Sequence, residues 1–396
     1  MKPQNVLYIM SDEHNPKMLG SYGHDIVQTP NLDKLASTGT QFTSHYTNSP
    51  ICIPARAAFA TGRYTHETKY WDNATPYDGA VKGWGHRLQE EDIRIESIGK
   101  LHYRDETSPT GFAKQHISMH VMDGIGQVWG SIRDPLPEKR PSKMIDQIGP
   151  GWSNYNRYDA DIAETACQWL KDASQTSSEK PWVLYVGFVA PHFPFVVPKE
   201  FYDLYPLENL PSRKLDPLTG FQRHPWLQRM NDFQGHDDTL TPEQRLQCVA
   251  AYFGLCTFMD HQVGQVLEAL HETGLDKNTR IIYTSDHGDN LGARGMWGKS
   301  NMYEESAGIP LIISGEGIPK NKICRTTTSL LDSYQTVLHG VGISLKKEEK
   351  NLDGKSWFTL ANQGDDSERT VFSEYHASAS PSGAFMIRKG RYKYIH

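Results

Sequence analysis

Little in this sequence suits a cross-linked, membrane-spanning or nucleic-acid-binding protein. Only five cysteines, Cys52, Cys167, Cys248, Cys256 and Cys324, are scattered over 396 residues. An odd, dispersed set fits reduced thiols rather than a disulfide framework. No apolar run approaches the roughly 18 residues that span a bilayer. Blocks of Lys or Arg are absent, and 41 basic against 47 acidic residues leave a formal charge of -6, which argues against a nucleic-acid binder. The apolar stretch Asn5-Val6-Leu7-Tyr8-Ile9-Met10 near the N-terminus is too short for the core of a secretory leader, so a cytoplasmic protein is expected.

What is present is a globular composition. Nine Trp and nineteen Tyr supply more large apolar surface than a disordered chain carries. The length exceeds one typical core, so one large domain with a smaller piece is the natural expectation. Strand-like runs at 5–10, 94–98, 182–189, 280–284 and 310–314 alternate with helical spacing near 30–36, 158–173, 241–271 and 329–339. This alternation predicts a mainly parallel sheet with helices on both faces. Residues 104–156 show no clear period and read as loops over a pocket, and 199–240 as a surface excursion. From about residue 366 short strands at 371–375, 384–389 and 392–396 suggest a small antiparallel unit. The division expected is therefore 1–365 for the α/β domain and 366–396 for the beginning of a C-terminal subdomain, with the chain read as truncated inside it.

The stretches that follow the strands carry the chemistry. Asp12 follows the first, Lys100 and His102 the one at 94–98, His192 the one at 182–189, and Asp286 with His287 the one at 280–284. In open α/β sheets ligands gather at the carboxyl ends of strands. Lys100 and His102, two apart in extended chain, are expected on one face. His192 lies between Pro191 and Pro194 in what reads as a fixed extended loop. Asp12, Asp286 and an imidazole make an oxygen-rich site suited to a hard divalent cation, Ca²⁺, Mn²⁺ or Mg²⁺. Cys52, with Pro54 and Arg56 behind it, is expected at a helix N-terminus, where dipole and free amides favour an anion. A thiolate is an awkward companion for a hard cation, whereas an oxygen nucleophile made from Cys52 would suit it.

Ser11-Asp12, Cys52-x-Pro54-x-Arg56, Gly99-Lys100-x-His102, Pro191-His192-x-Pro194, Ser285-Asp286-His287-Gly288 and Lys299 stand in the order found in the sulfatase family, and the chain resembles that family over nearly its whole length. The resemblance implies an alkaline-phosphatase-like α/β fold and a hydrolase acting on sulfuric esters, with phosphonate monoester or phosphodiester hydrolysis as the alternative and an inactive binding homologue as a third reading. It implies that a formylglycine-generating enzyme oxidises Cys52 to an aldehyde, whose hydrate attacks sulfur. Asp12, Asp286, His287 and the modified Cys52 would hold the metal, most simply Ca²⁺. Arg56 and His102 would orient the diol, with His102 as base. His192 and Lys299 would protonate the leaving group, while Lys100 and Asn73 would clamp sulfate oxygens.

Two departures from the common pattern narrow the branch. Glu13 stands where many sulfatases carry a second Asp, and is a weaker candidate ligand. The Asp286-His287 pair and Tyr70-Trp71-Asp72-Asn73 are similar to the choline sulfatase and phosphonate monoester hydrolase branch. Trp71, Tyr77, Trp84 and Trp129 are candidates for boxing a quaternary ammonium, against the alternatives of core packing or sugar stacking. The substrate expected is a small-molecule or saccharide sulfate ester, with no nucleic-acid or membrane partner, and homo-oligomerisation is left open.

Overall fold

The computed structural model describes residues 2–126, 145–176, 179–235 and 237–396. Its main sheet comprises β1 (Asn5–Asp12), β2 (Gly39–Phe42), β3 (Arg94–Lys100), β4 (Lys114–Met119), β5 (Trp182–Pro191), β6 (Thr279–Ser285), β7 (Leu311–Ser314) and β8 (Lys322–Cys324). Their spatial order is β8-β2-β7-β6-β1-β5-β3-β4. The central strands β6, β1, β5 and β3 are mutually parallel, so their carboxyl ends share one edge. β7 alone runs antiparallel to its neighbours β2 and β6.

Near-continuous apolar runs form β1 and β5 because both sheet faces are covered. The period-2 alternation of β1 divides its side chains between two cores. Leu7 and Ile9 face a cluster with α1 (Pro30–Ser37), α4 (Asn154–Ser174) and α6 (Pro242–Glu272). Val6, Tyr8 and Met10 face the opposite cluster, with α2 (Cys52–Thr61), α3 (Trp84–Glu90) and α7 (Asp332–Gly340). The start of α6 is set by a capping box: Thr241 Oγ1 accepts from the Gln244 amide at 3.1 Å, and Gln244 Oε1 from the Thr241 amide at 2.9 Å. Cys248 and Cys256 are core residues of this helix.

Three expectations needed correction. The stretch 104–156 is not all loop: its polar run Lys114–Met119 is edge strand β4, which among the described residues pairs only with β3. An edge strand needs no continuous apolar run, so periodicity misses it. Within 199–240 lies helix α5 (Pro225–Gln234), which buries Leu227 and Met230. Those residues pack on a three-stranded antiparallel sheet of β9 (Thr370–Tyr375), β10 (Ala384–Lys389) and β11 (Tyr392–Ile395). The third correction concerns the aromatic box. Tyr77 and Trp84 are core residues, 0% and 1% exposed, and Trp129 lies outside the described residues.

Candidate active site

Asp12, Lys100 and Pro191 end their strands, and Asp286 follows directly on β6. All four lie on the edge to which the parallel strands point. Helix α2 aims its N-terminus at the same place. Pro54 fits the first turn because its missing N–H would have no intrahelical partner there. Gly62, at φ 65°, stops the helix and returns its amide to the Ala58 carbonyl at 2.8 Å. Asn73 Oδ1 accepts from the Ile53 amide at 3.1 Å, so the loop around residue 73 is tied to the first turn beside Cys52.

One guanidinium organises the carboxylates. Arg56 Nε donates to Asp286 Oδ2 at 2.8 Å, and a terminal nitrogen reaches Asp12 Oδ2 at 3.2 Å. Its remaining nitrogen donates to the Lys100 carbonyl and to Tyr185 Oη, at 2.9 and 3.0 Å. Lys100 Nζ forms an ion pair with Asp12 Oδ2. Asp286 Oδ1 accepts the amides of His287 and Glu13, at 2.9 and 3.2 Å. These contacts hold Asp12 well below the usual carboxylate range: burial opposes the shift, but Lys100, His192 and Arg56 outweigh it.

One oxygen of each carboxylate converges with His287 and Cys52 on one point. His287 Nδ1 donates to the Gly288 carbonyl at 3.2 Å, so Nε2 carries the lone pair. That nitrogen lies 3.6 Å from both Asp12 Oδ1 and Asp286 Oδ1, and 3.1 Å from Cys52 Sγ. Asp12, Cys52, Asp286 and His287 therefore each offer one atom to a single buried space. Two carboxylate oxygens, each 3.6 Å from one imidazole nitrogen, suit a hard cation. Burial, then the Asp12 carboxylate, push the Cys52 thiol up to about 12, so the unmodified side chain is a neutral S–H that can donate to His287.

The other expected residues surround this group. Lys299 Nζ lies 2.8 Å from Glu13 Oε2, and His192 Nε2 lies 3.3 Å from the same oxygen. Glu13, at φ 70°, is outside the four-atom set, although it could share a cation with Asp12 and His192. Burial outweighs the Lys299 charge and raises the Glu13 carboxyl to about 8. His102 departs from the extended geometry expected of it: its φ of 59° turns it out of line with β3, so Lys100 and His102 do not sit as strand neighbours on one face. Among the described residues its buried Nδ1 has no partner, and burial, Lys100 and Arg56 hold its pKa well below that of a free imidazole. The segment around His192 is a tight bend, not an extended loop. Ala190-Pro191 and Phe193-Pro194 are both cis, and the His192 amide donates to the Val189 carbonyl at 3.0 Å.

Three contributors escaped sequence reading. Asp159 accepts the amides of Val189 and Ala190, both at 2.7 Å, just ahead of His192. Its signal was a carboxylate on the apolar stripe of α4, three and four residues before Ile162 and Ala163. Tyr185 Oη accepts from Arg56 and donates to the Lys100 carbonyl, but alternation in β5 marks it only as core. Asp289 Oδ1 receives the amides of Leu291 and Gly298, at 2.6 and 3.2 Å, closing the loop that carries Lys299.

Comparison with known proteins decides the lineage. The sulfatase family model matches residues 4–343. The chain belongs to the sulfatase family. Choline-sulfatase of Rhizobium meliloti is 33% identical, over 99% of this sulfatase and 78% of that protein. Arylsulfatase K of Mus musculus is 28% identical, over 99% and 71% respectively. The solved structure of a phosphonate monoester hydrolase of Agrobacterium radiobacter superposes with a TM-score of 0.77 at 22% identity, covering 99% of this chain and 87% of that one. The architecture is the alkaline-phosphatase-like sulfatase fold, and the family places this chain among hydrolases of sulfuric esters. Among the described residues no helix is long and apolar enough to cross a membrane.

Proposed function

We propose that the chain hydrolyses a sulfate ester through a formylglycine made from Cys52, with a divalent metal held by Asp12, Asp286, His287 and residue 52. The observation that carries this reading is the placement of Cys52: its Sγ sits beside the three other convergent donors, at the N-terminus of a buried helix. Oxidation by a formylglycine-generating enzyme would supply an aldehyde whose hydrate is an oxygen nucleophile, and Ca²⁺, Mn²⁺ or Mg²⁺ would polarise the sulfate and favour the ionised nucleophile. A raised thiol pKa gives the unmodified residue little nucleophilic character of its own.

The chain's own groups divide the remaining work. Arg56 holds the two carboxylates in place and balances part of their charge. Lys100, Lys299 and the amide of Asn73 are the donors available to sulfate oxygens, where charge builds up during transfer. Lys299, 2.8 Å from Glu13 Oε2, is the cation placed to protonate a departing alkoxide, and His192, which burial and the Lys299 charge hold well below the pKa of a free imidazole, would act with it after gaining a proton. His102, held neutral, is able to accept a proton from residue 52 when sulfate is released.

Two measurements test this. Mass spectrometry of the Cys52 peptide after co-expression with the maturation enzyme is expected to find the aldehyde, and an unmodified thiol would remove the nucleophile. Turnover of an aryl sulfate is expected to exceed that of the matching aryl phosphonate, and the reverse preference would make the enzyme a phosphonate monoester hydrolase. Loss of both activities in fully modified protein would leave the inactive binding homologue.

A further inference from the structure

Lys299 leaves the backbone between two residues in the left-handed region, Gly298 at φ 70° and Ser300 at φ 83°. A serine with that φ is strained, and such a conformation persists only where its surroundings over-determine it. Here a small set of hydrogen bonds does so. Asp289 Oδ1 accepts the Gly298 amide at 3.2 Å. On the other side of that residue, the backbone amide and the Nδ2 of Asn290 both donate to the Gly298 carbonyl, at 2.7 and 2.6 Å. Asn290 Oδ1 accepts from Asn301 Nδ2 at 3.1 Å, and Asn301 Oδ1 accepts the Tyr303 amide at 3.1 Å. The Ser300 amide donates to the carbonyl of Pro50, two residues ahead of Cys52, at 3.1 Å.

The orientation of the Asn290 amide is forced. A carbonyl only accepts, so the side-chain nitrogen must face Gly298, and the oxygen is left for Asn301. Both ends of this buried side chain are thus spent on residues that flank Lys299, one before it and one after. Lysine carries its ammonium on a flexible four-carbon stem, so its reach depends on where the backbone launches it. From this launch point Nζ ends 2.8 Å from Glu13 Oε2 and 5.2 Å from the centre of the Phe193 ring. The stretch after β6 that supplies Asp286 and His287 continues into Asn290. It therefore fixes the Lys299 loop relative to the convergent donors, and the Ser300 bond to Pro50 fixes the same loop relative to Cys52.

We propose that Asn290, in partnership with Asn301, is the positioning residue that sets Lys299 at the distance from residue 52 needed to protonate the leaving group. The inference deepens the sulfate ester reading above and rests on it. Asn290 does not meet the substrate and acts through the Gly298 carbonyl and Asn301. Displacing a reacting group by about 1 Å can cost a hundredfold in rate, so a loop that holds nucleophile and acid at a fixed separation bears directly on turnover. A side chain that only closed the loop would bear on stability alone.

The test is a double-mutant cycle in the full chain carrying modified residue 52, with Asn290→Ala, Lys299→Ala and the double variant, on aryl sulfates of graded leaving-group pKa. Asn290→Ala is expected to lower kcat roughly tenfold or more for the poorest leaving group and less than about threefold for the best. In the Lys299→Ala background the same substitution is expected to change kcat by less than about twofold, because no ammonium is left to misplace. Losses that multiply, or an equal loss for every leaving group, overturn the proposal and make Asn290 a structural residue of the loop. Should Asn290→Ala fail to fold, Asn301→Ala enters the same cycle, since it removes the other half of the grip. A crystal structure of the Asn290→Ala chain with Cys52 left as the thiol reads the position without turnover. Lys299 Nζ is expected to leave Glu13 Oε2, and an ammonium still bonded there overturns the positioning role. Absence of aryl sulfate turnover in the modified wild type would refute the hydrolase reading, and the crystallographic result would still decide whether Asn290 places Lys299.

Discussion

Arg56 and Asp286, 230 residues apart in sequence, meet at 2.8 Å with both side chains buried. The same guanidinium reaches Asp12, so one cation joins the ends of β1 and β6 and sets the spacing of the carboxylates between them. Removing it would leave buried Asp286 without its cationic partner and Asp12 with Lys100 alone. Arg56→Met is expected to cost about 3–5 kcal/mol of stability in metal-free protein. The check is urea unfolding with and without added Ca²⁺, and an unchanged midpoint in chelator would sink the idea that Arg56 holds the pair.

Cys52 is buried but belongs to none of the hydrophobic clusters among the described residues. Cys52→Ala is expected to lower sulfate ester hydrolysis at least about a thousandfold, with a melting temperature close to that of the parent. Near-normal turnover in this variant would refute the assignment of residue 52 as nucleophile.

A hard cation bound by Asp12, Asp286 and His287 should stabilise the fold by mass action. At about one hundred times its dissociation constant Ca²⁺ would add about 2.7 kcal/mol. The expected outcome is a higher melting temperature in Ca²⁺ that chelator reverses and that His287→Ala largely loses. A melting temperature indifferent to Ca²⁺, Mn²⁺ and Mg²⁺ would count against the site.

Asp159 should act on His192 through the backbone. Asp159→Ala strips acceptors from two buried amides, at about 1–3 kcal/mol for each amide left unsatisfied. Turnover is expected to fall more for substrates with poor leaving groups, because His192 would lose its position for protonating them. Steady-state kinetics with sulfate esters of graded leaving-group pKa check this, and a uniform loss across the series would make the effect merely structural.

His45 gives the fold an acid sensitivity remote from the site. It is buried beside Trp357, with Nδ1 2.9 Å from Thr328 Oγ1. Burial and Arg369 depress its pKa to about 3, from 6.5. Between those values the unfolded chain binds the extra proton, so stability is complete above about 6.5 and declines as pH falls. From pH 6.5 to 5 the loss attributable to His45 is about 1.7 kcal/mol. His45→Gln should flatten the stability–pH curve in that interval, measured by urea titration, and an equally steep curve would exclude His45 as the cause.

Much of the site was legible before the fold was. Asp12, Lys100 and Asp286 could be singled out because a strand pattern followed by charged residues marks a sheet edge, and parallel strands bring such edges together. The helix after Cys52 followed from Pro54. What stayed hidden were groups that act by tertiary contact. Asp159 looks like one more acid in an amphipathic helix until its oxygens meet the amides of Val189 and Ala190. Tyr185 reads as a core aromatic, and only its hydroxyl contacts tie it to Arg56. His102 broke the period-2 expectation because its backbone turns to positive φ as β3 ends.

By itself the sequence determined the inventory of candidates: a cysteine in a Cys-x-Pro-x-Arg setting, carboxylates and a histidine of the kind that suit a hard cation, and cationic residues near strand ends. Local pattern is enough for this, since side-chain type and strand periodicity are properties of short segments. Only the tertiary structure decided which donors converge and which aromatics are buried. Tyr77 and Trp84 are ordinary residues in the chain, and their availability to a substrate depends on packing between segments hundreds of residues apart. Cys52 is where the two meet: its motif resembles that of the family, and the fold sets Asp12, Asp286 and His287 around it.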